Sequence, residues 1–276
     1  MAAGQRVEDH YASTGIAARI LAALRAELGG DVAVTPESLA PLDHFHGRGV
    51  VATEELVALL QPHAGEKILD IGSGIGGPAR WIAQKFGCHV TGVDLTADFC
   101  AAAEALNAAT GLSDRVRILQ GSALALPLPD ASFDRAYSQN VVMNIADKAG
   151  FYREAFRVLR PGGVLALSNL GAGPNGAPYY PLPWASAPEN SFLATPEQAR
   201  ADLLATGFEI VSFQETTAVL VAASAKERER LQRAKQPALG MHILMGERIT
   251  EYRINSIRGM EEGRLSAIEI LARKPR

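Results

Sequence analysis

Three glycines, Gly72, Gly74 and Gly77, follow the apolar run that ends at Ile71, with carboxylates on either side: Asp70 before them and Asp94 about 22 positions after Gly72. The spacing is G-x-G-x-x-G. After a strand and before a helix, such a loop brings backbone close to a nucleoside-like ligand, and the later carboxylate suits a pair of ribose hydroxyls. The alternative is a loop that needs glycine only to pack a helix on a strand.

Asp70 narrows the choice of ligand. A carboxylate in the mouth of the loop repels the pyrophosphate of a nicotinamide dinucleotide but helps to hold a cationic amino-acid group. S-adenosylmethionine carries such an ammonium and no phosphate. At this point a family resemblance is explicit. Residues 68–77 (ILDIGSGIGG) resemble the first motif of class I S-adenosylmethionine methyltransferases, and Gly92-Val93-Asp94 is similar to their acidic strand end. Residues 126–130 (LPLPD) with Phe133-Asp134, and residues 159–163 (LRPGG), resemble their approach to the fourth strand and the turn before the fifth. Residues 42–54, with Gly74 to Arg80 and Ser138-Gln139, resemble sarcosine/dimethylglycine N-methyltransferase-like proteins.

The resemblance implies S-adenosylmethionine as cofactor and S-adenosylhomocysteine as product, with no metal. It implies cofactor contacts at Asp70, Gly72, Ser73, Gly74, Asp94, Leu95, Ser122, Ala123 and Gln139, and a closing aromatic at Tyr11. Ser122 stands where the family often has an acidic residue for the adenine amino group, so adenine recognition leans on Ala123 backbone groups and on Leu95. The acceptor is a small molecule, for which a small amine such as sarcosine or dimethylglycine is one reading and an apolar hydroxyl or carbon acceptor the alternative.

The residues that would meet that acceptor lie outside the glycine loop. His46, beside glycines, is the candidate base or hydrogen-bonding group. Arg48 would suit a substrate carboxylate. Asn144 follows the fourth strand; Tyr179, Tyr180 and Trp184 sit in an uncharged Gly/Pro loop where aromatics could cage an alkylated amine or wall an apolar one; His242 lies in a late apolar stretch. Each has a plain structural alternative as core or surface. Methyl transfer is an in-line displacement at an already activated carbon, so alignment and exclusion of water can suffice without a conspicuous catalytic group.

These residues must be positioned by elements that the pattern also predicts. Short apolar runs at residues 67–71, 89–93, 115–119, 133–138 and 164–168 alternate with helical stretches, which implies an α/β, Rossmann-like, doubly wound parallel sheet. A strand at 208–213 and a closing strand at 265–272 complete seven, the last antiparallel as the resemblance implies. Residues 6–28 show helical apolar spacing, a helix opened by Thr53 follows, and residues 223–258 read as largely helical. The expected organisation is a single domain: an N-terminal helical cap (1–62), a cofactor-binding core (63–222), a helical insertion (223–264) and the closing segment (265–276).

The 276 residues carry 27 basic and 30 acidic side chains, for a net charge of −3. That balance lacks the basic stripe of a nucleic-acid binder, and Ser138-Gln139-Asn140-Val141 stands where nucleic-acid methyltransferases carry an Asn/Asp-Pro-Pro-aromatic motif. Two cysteines, Cys88 and Cys100, at unsuitable spacing speak for free thiols. The first ten residues do not read as a signal peptide and no segment reads as a membrane helix. A cytoplasmic enzyme with no membrane partner is expected, and a homodimer is left open. Two rivals remain: a nicotinamide-dependent oxidoreductase on the same loop, and a non-catalytic module that binds S-adenosylmethionine.

Overall fold

A computed structural model describes residues 15–30, 32–233 and 239–276. The parallel part of the sheet comes from the buried apolar runs: β1 (Lys67–Ile71), β2 (His89–Asp94), β3 (Val116–Gln120), β4 (Phe133–Gln139) and β5 (Leu159–Ala172). Four of the five residues of β1 are buried, as expected for a strand covered on both faces. With β6 (Glu209–Glu215) and β7 (Leu265–Arg273) the order is β3-β2-β1-β4-β5-β7-β6, and β7 runs antiparallel to both β5 and β6. This is the Rossmann-like arrangement, with the order reversing between β1 and β4. Ligands of such sheets bind outside the strand ends at that switch point.

β5 runs well beyond the expected 164–168. Its second half pairs with β7 from Ser168↔Glu269 to Ala172↔Leu265. That pairing is long-range, so the uncharged segment after Ser168 reads as loop until its partner strand is in place.

Helices α1 (Ile16–Leu28), α2 (Pro36–Asp43) and α3 (Val50–Leu60) precede the sheet; α4 (Gly77–Phe86), α5 (Ala97–Ala109), α6 (Lys148–Val158) and α7 (Pro196–Thr206) connect its strands; α8 (Thr217–Arg233), α9 (His242–Met245) and α10 (Ile249–Glu261) lie between β6 and β7. α1 buries Ile16, Ile20 and Leu24 against Phe99, Ala102 and Leu106 of α5 and against Leu239, Ile243 and Leu244. The first helix and the late insertion thus share one apolar cluster. α2 opens with a reciprocal capping box between Thr35 and Ser38, which satisfies two otherwise orphaned N–H groups. α3 begins at Val50, before the expected Thr53, because the Thr53 hydroxyl is fully buried and bonded to His44 instead of capping the helix. None of the described helices is long and apolar enough to cross a membrane.

The end of α2 is locked to the core by ions. Arg80 of α4 is fully buried and donates to both carboxylate oxygens of Asp43, at 2.6 and 3.2 Å, and to Asn107 Oδ1 at 3.0 Å. Gly77 completes the joint: a Cβ there would lie 2.0 Å from the Asp43 carbonyl oxygen. Removing one partner of a buried pair strands the other charge. Asp43→Ala is therefore expected to destabilise the fold by about 3–5 kcal/mol, whereas the double replacement Asp43→Leu, Arg80→Met restores most of that loss. Chemical denaturation checks both; a loss below about 1 kcal/mol for the single variant would contradict the assignment of the joint.

Candidate active site

The glycine loop leaves β1 at the switch point. Gly72 (φ 83°) and Gly74 (φ 53°) occupy left-handed conformations, and a Cβ at Gly72 would reach 2.3 Å from Val141 Cγ2, so only glycine lets the loop pass beneath the segment after β4. The Gly72 and Ser73 N–H groups donate to the Val93 carbonyl. Asp94 ties loop to strand: its carboxylate accepts from Gly74 N–H at 2.8 Å and from Thr96 N–H at 2.9 Å. Burial nonetheless raises the Asp94 pKa, those hydrogen bonds opposing it. Asp70 is 2% exposed and accepts from the Tyr137 hydroxyl at 2.7 Å. Burial lifts its pKa to about 7, with the Tyr137 bond pulling down and Asp94 pushing up.

These groups line one end of a cavity of about 460 Å³. Of the residues singled out in the sequence, Asp70, Gly72, Ser73, Gly74, Asp94, Leu95, Ser122, Ala123, Gln139, Asn144, His46, Arg48 and Trp184 line it. Three others do not. Tyr179 donates to Glu262 and is stacked by Arg258 and Arg264, at 3.9 and 4.7 Å from its ring centre. Tyr180 packs on the cluster of Met143, Leu182, Trp184, Ala185 and Leu265. His242 sits on α9, whose neighbours Met241 and Met245 reach the cavity instead. Tyr11 lies outside the described residues.

Around His46 the cap forms a polar relay that the sequence did not announce. His44 Nδ1 lies 2.9 Å from Thr53 Oγ1, and His46 Nε2 lies 3.3 Å from the same oxygen, which also approaches Gln139 Oε1 at 3.4 Å. Arg48, in a left-handed conformation (φ 68°), pairs with Glu55 of α3. Burial lowers the pKa of His44 to about 3, helped by the charges of His46 and Arg80, and that of His46 to about 4 with Arg48 adding to the effect. Both imidazoles are neutral at pH 7.

Two further residues fix the wall after β4. Lys148 donates to the Val142, Ile145 and Phe192 carbonyls, joining the Asn144 loop to the segment beyond Trp184; burial lowers its pKa to about 8. Asn169 Oδ1 accepts from the Val141 and Val142 N–H groups at 3.3 and 3.4 Å. The two cysteines are buried and free, and burial raises both thiols, Cys88 to about 11 and Cys100 to about 12, which keeps them unreactive.

Residues 69–167 match the family model described as a methyltransferase domain. The chain is 38% identical over 135 residues to methyltransferase GfsG of Streptomyces halstedii, a match that covers 49% of this chain and 48% of that protein. It therefore spans less than half the length of that relative. Among solved structures, a candidate sarcosine dimethylglycine methyltransferase from Galdieria sulphuraria superposes with a TM-score of 0.67 at 22% identity, covering 82% of this chain and 86% of that one. The geranyl diphosphate C-methyltransferase of Streptomyces coelicolor A3(2) superposes with a TM-score of 0.72 at 17% identity, covering 99% and 98%. At those identities the likeness is one of fold.

The depressed histidines make a direct prediction. A histidine whose folded pKa lies below its unfolded value stabilises the fold above about pH 6.5, and that stability is lost as pH falls toward the folded pKa. The imidazole carbon resonances of His44 and His46 should stay flat from pH 8 to about 5 in NMR titrations. A midpoint near 6.5 for either would contradict the buried relay.

Proposed function

We propose that the chain is a class I S-adenosylmethionine-dependent methyltransferase, a reading supported by the match of residues 69–167 to a methyltransferase domain, and that it transfers a methyl group from that cofactor to a small amine. The observation that carries the cofactor reading is the glycine cradle between the buried Asp70 and the half-buried Asp94. Ser73 Oγ and Gln139 Nε2, at the same end of the cavity, are buried without hydrogen-bond partners among the described residues. Buried orphans of this kind cost about 1–3 kcal/mol each, which a polar ligand in the cradle removes.

The residues fit the cofactor. Asp70 would face its ammonium; the free lone pairs of Asp94 would take the ribose hydroxyls while Gly74 and Thr96 hold the carboxylate in place. Leu95, Ser122 and Ala123 would bracket the adenine, and Gln139 the methionine end. When bound, the cofactor supplies a methyl carbon already activated by the sulfonium charge. The chain then has to align the acceptor and exclude water. The neutral His46, held by Thr53, can accept a proton or orient a donor; Asn144, whose buried Oδ1 has no partner among the described residues, can accept a second hydrogen bond. Tyr11 remains the proposed closing aromatic.

The amine reading rests on charge. Asp70, Asp94, Asp147 and Glu269 all line the cavity, whereas of its arginines Arg48 is already bonded to Glu55. An acidic, low-dielectric chamber favours a cationic acceptor. The second reading, methylation at carbon or oxygen of an apolar acceptor, is favoured by the apolar far wall, where Met143, Leu170 and Trp184 stand. A nicotinamide ligand is disfavoured because its pyrophosphate would meet Asp70.

Purified protein with labelled S-adenosylmethionine should methylate nitrogen in a panel of glycines, alkyl amines, phenols and quinols, read by mass spectrometry. Label only on oxygen or carbon would overturn the amine reading, and absence of S-adenosylhomocysteine binding in calorimetry would overturn the methyltransferase reading. The same titration has a pH signature. An ammonium binds the ionised form of Asp70, so affinity should rise as pH passes up through about 7. Tyr137→Phe removes a hydrogen bond that favours the carboxylate, so the rise should move to higher pH.

A further inference from the structure

Glu269 is a cavity carboxylate that neither the sequence motifs nor the cofactor cradle uses and, unlike Asp43, which pairs with Arg80, and Asp147, which caps α6, it has no structural task among the described residues. It sits on β7 in register with Ser168 of β5 and Gln214 of β6, and Ser168 is in turn in register with Gln139 of β4. Gln139, Ser168 and Glu269 therefore form one row across the sheet, and all three line the cavity. Such a row places Glu269 two strands from the residue assigned to the methionine end of the cofactor.

The side chain is out of place as a structural group. Its neighbours along β7, Ile268 and Ile270, are core residues, and Glu269 itself is 8% exposed. No hydrogen bond or ion pair to it occurs among the described residues. The charged groups that face it are Arg48 and Glu55, which are bonded to each other; Arg253 of α10 lines the same cavity. A carboxylate buried with so little compensation costs stability unless a ligand pairs with it. The space it faces is walled by Met143, Leu170, Trp184, Leu220, Ile257 and Met260.

We propose that Glu269 is the anchor for the acceptor's ammonium group, and that the acceptor is an amphiphilic amine whose apolar body fills the Trp184 chamber. The inference rests on the amine reading above and makes it specific to one residue. A charged hydrogen bond from an ammonium to this carboxylate would satisfy the buried charge and hold the nitrogen at the row that leads to Gln139. It also sets the selection: a carboxylate ligand of the same length meets a like charge in a low dielectric, and an apolar chain without a cation leaves Glu269 unpaired.

Trp184 lines the chamber and gives the experiment its signal, the other tryptophan, Trp81, lying on α4. Octylamine, octan-1-ol and octanoate serve as matched probes of one chain length, titrated against the protein saturated with S-adenosylhomocysteine while tryptophan emission is followed. Octylamine is expected to bind at least about tenfold more tightly than octanoate, the worth of one charge-assisted hydrogen bond. Glu269→Gln should abolish that preference and Glu269→Asp should retain part of it, with S-adenosylhomocysteine affinity unchanged within about twofold in calorimetry. Equal binding of the amine and the carboxylate, no octylamine binding, or a preference that survives Glu269→Gln would each overturn the proposal. The wild-type comparison alone decides if the variants do not fold. Loss of S-adenosylhomocysteine binding in the wild type would count against the cofactor reading and not against this anchor.

Discussion

The bidentate pair between Arg80 and Asp43 is the constraint on which the geometry of the cavity depends. It joins the last residue of α2 to the middle of α4, and both side chains are essentially inaccessible. A buried ion pair is weak as a source of stability, because desolvation offsets most of the Coulomb gain. Its value here is positional. Asp43 immediately precedes His44, Phe45 and His46, so the pair fixes where the cap crosses the glycine loop. Gly77 permits the approach, and Phe45 then lies over Gly74, where a Cβ would be 3.1 Å from its ring. The second joint, through His44, His46, Thr53 and Gln139, seats the same segment on the end of β4. Two polar joints therefore determine a cavity whose walls are mostly apolar.

The carboxylates inside the fold, three buried and Asp94 half-buried, divide by what they hold. Asp43 is consumed by Arg80, and Asp94 is bonded to two backbone N–H groups, so each is fixed before any ligand arrives. Asp70 has one hydroxyl partner and a pKa lifted to about 7, and Glu269 has none among the described residues. Uncompensated burial of this kind is carried at a cost to the empty protein. It is tolerable where a cation replaces the missing partner, and the two open carboxylates lie at the two places where the proposed reaction has one: the ammonium of the cofactor and that of the acceptor.

What the sequence made legible was local. The glycine loop, the strand ends and the helix between them depend on spacing within some twenty-five residues, so Asp70, Gly72, Gly74 and Asp94 could be singled out directly, and the doubly wound parallel arrangement, though not its strand order, followed from the alternation. Groups that meet across the fold could not. Arg80 lies 37 positions from Asp43, and nothing in the sequence of its helix, Gly77–Phe86, marks the arginine as buried. Thr53 has the residue type of a helix cap, and only the approach of His44 and His46 gives its hydroxyl a different task. Tyr179 looked like a lid aromatic because its loop is uncharged; the arginines that hold it away, Arg258 and Arg264, arrive from the far end of the chain. Glu269 did leave a signal, a lone acid in the apolar run Ala267-Ile268-Glu269-Ile270, which an alternating strand would place on its other face.

The same division explains why fold and acceptor separate. The matched methyltransferase domain, residues 69–167, contains the glycine loop, Asp94, Ser122, Gln139 and Asn144. Apart from Met143 and Asn144, the chamber beyond is walled by residues outside that range: Leu170, Trp184, Leu220, Ile257, Met260 and Glu269, with His46 and Arg48 from the cap. A cofactor-binding half can thus be kept while the acceptor-binding half is rebuilt from the loop after β5 and the helices between β6 and β7. Relatives that share this domain have names that refer to nitrogen or to carbon methylation, which is what such a division allows. Function on this fold is decided by groups that the fold itself does not dictate. In this chain those groups include an open carboxylate facing a chamber with an apolar wall.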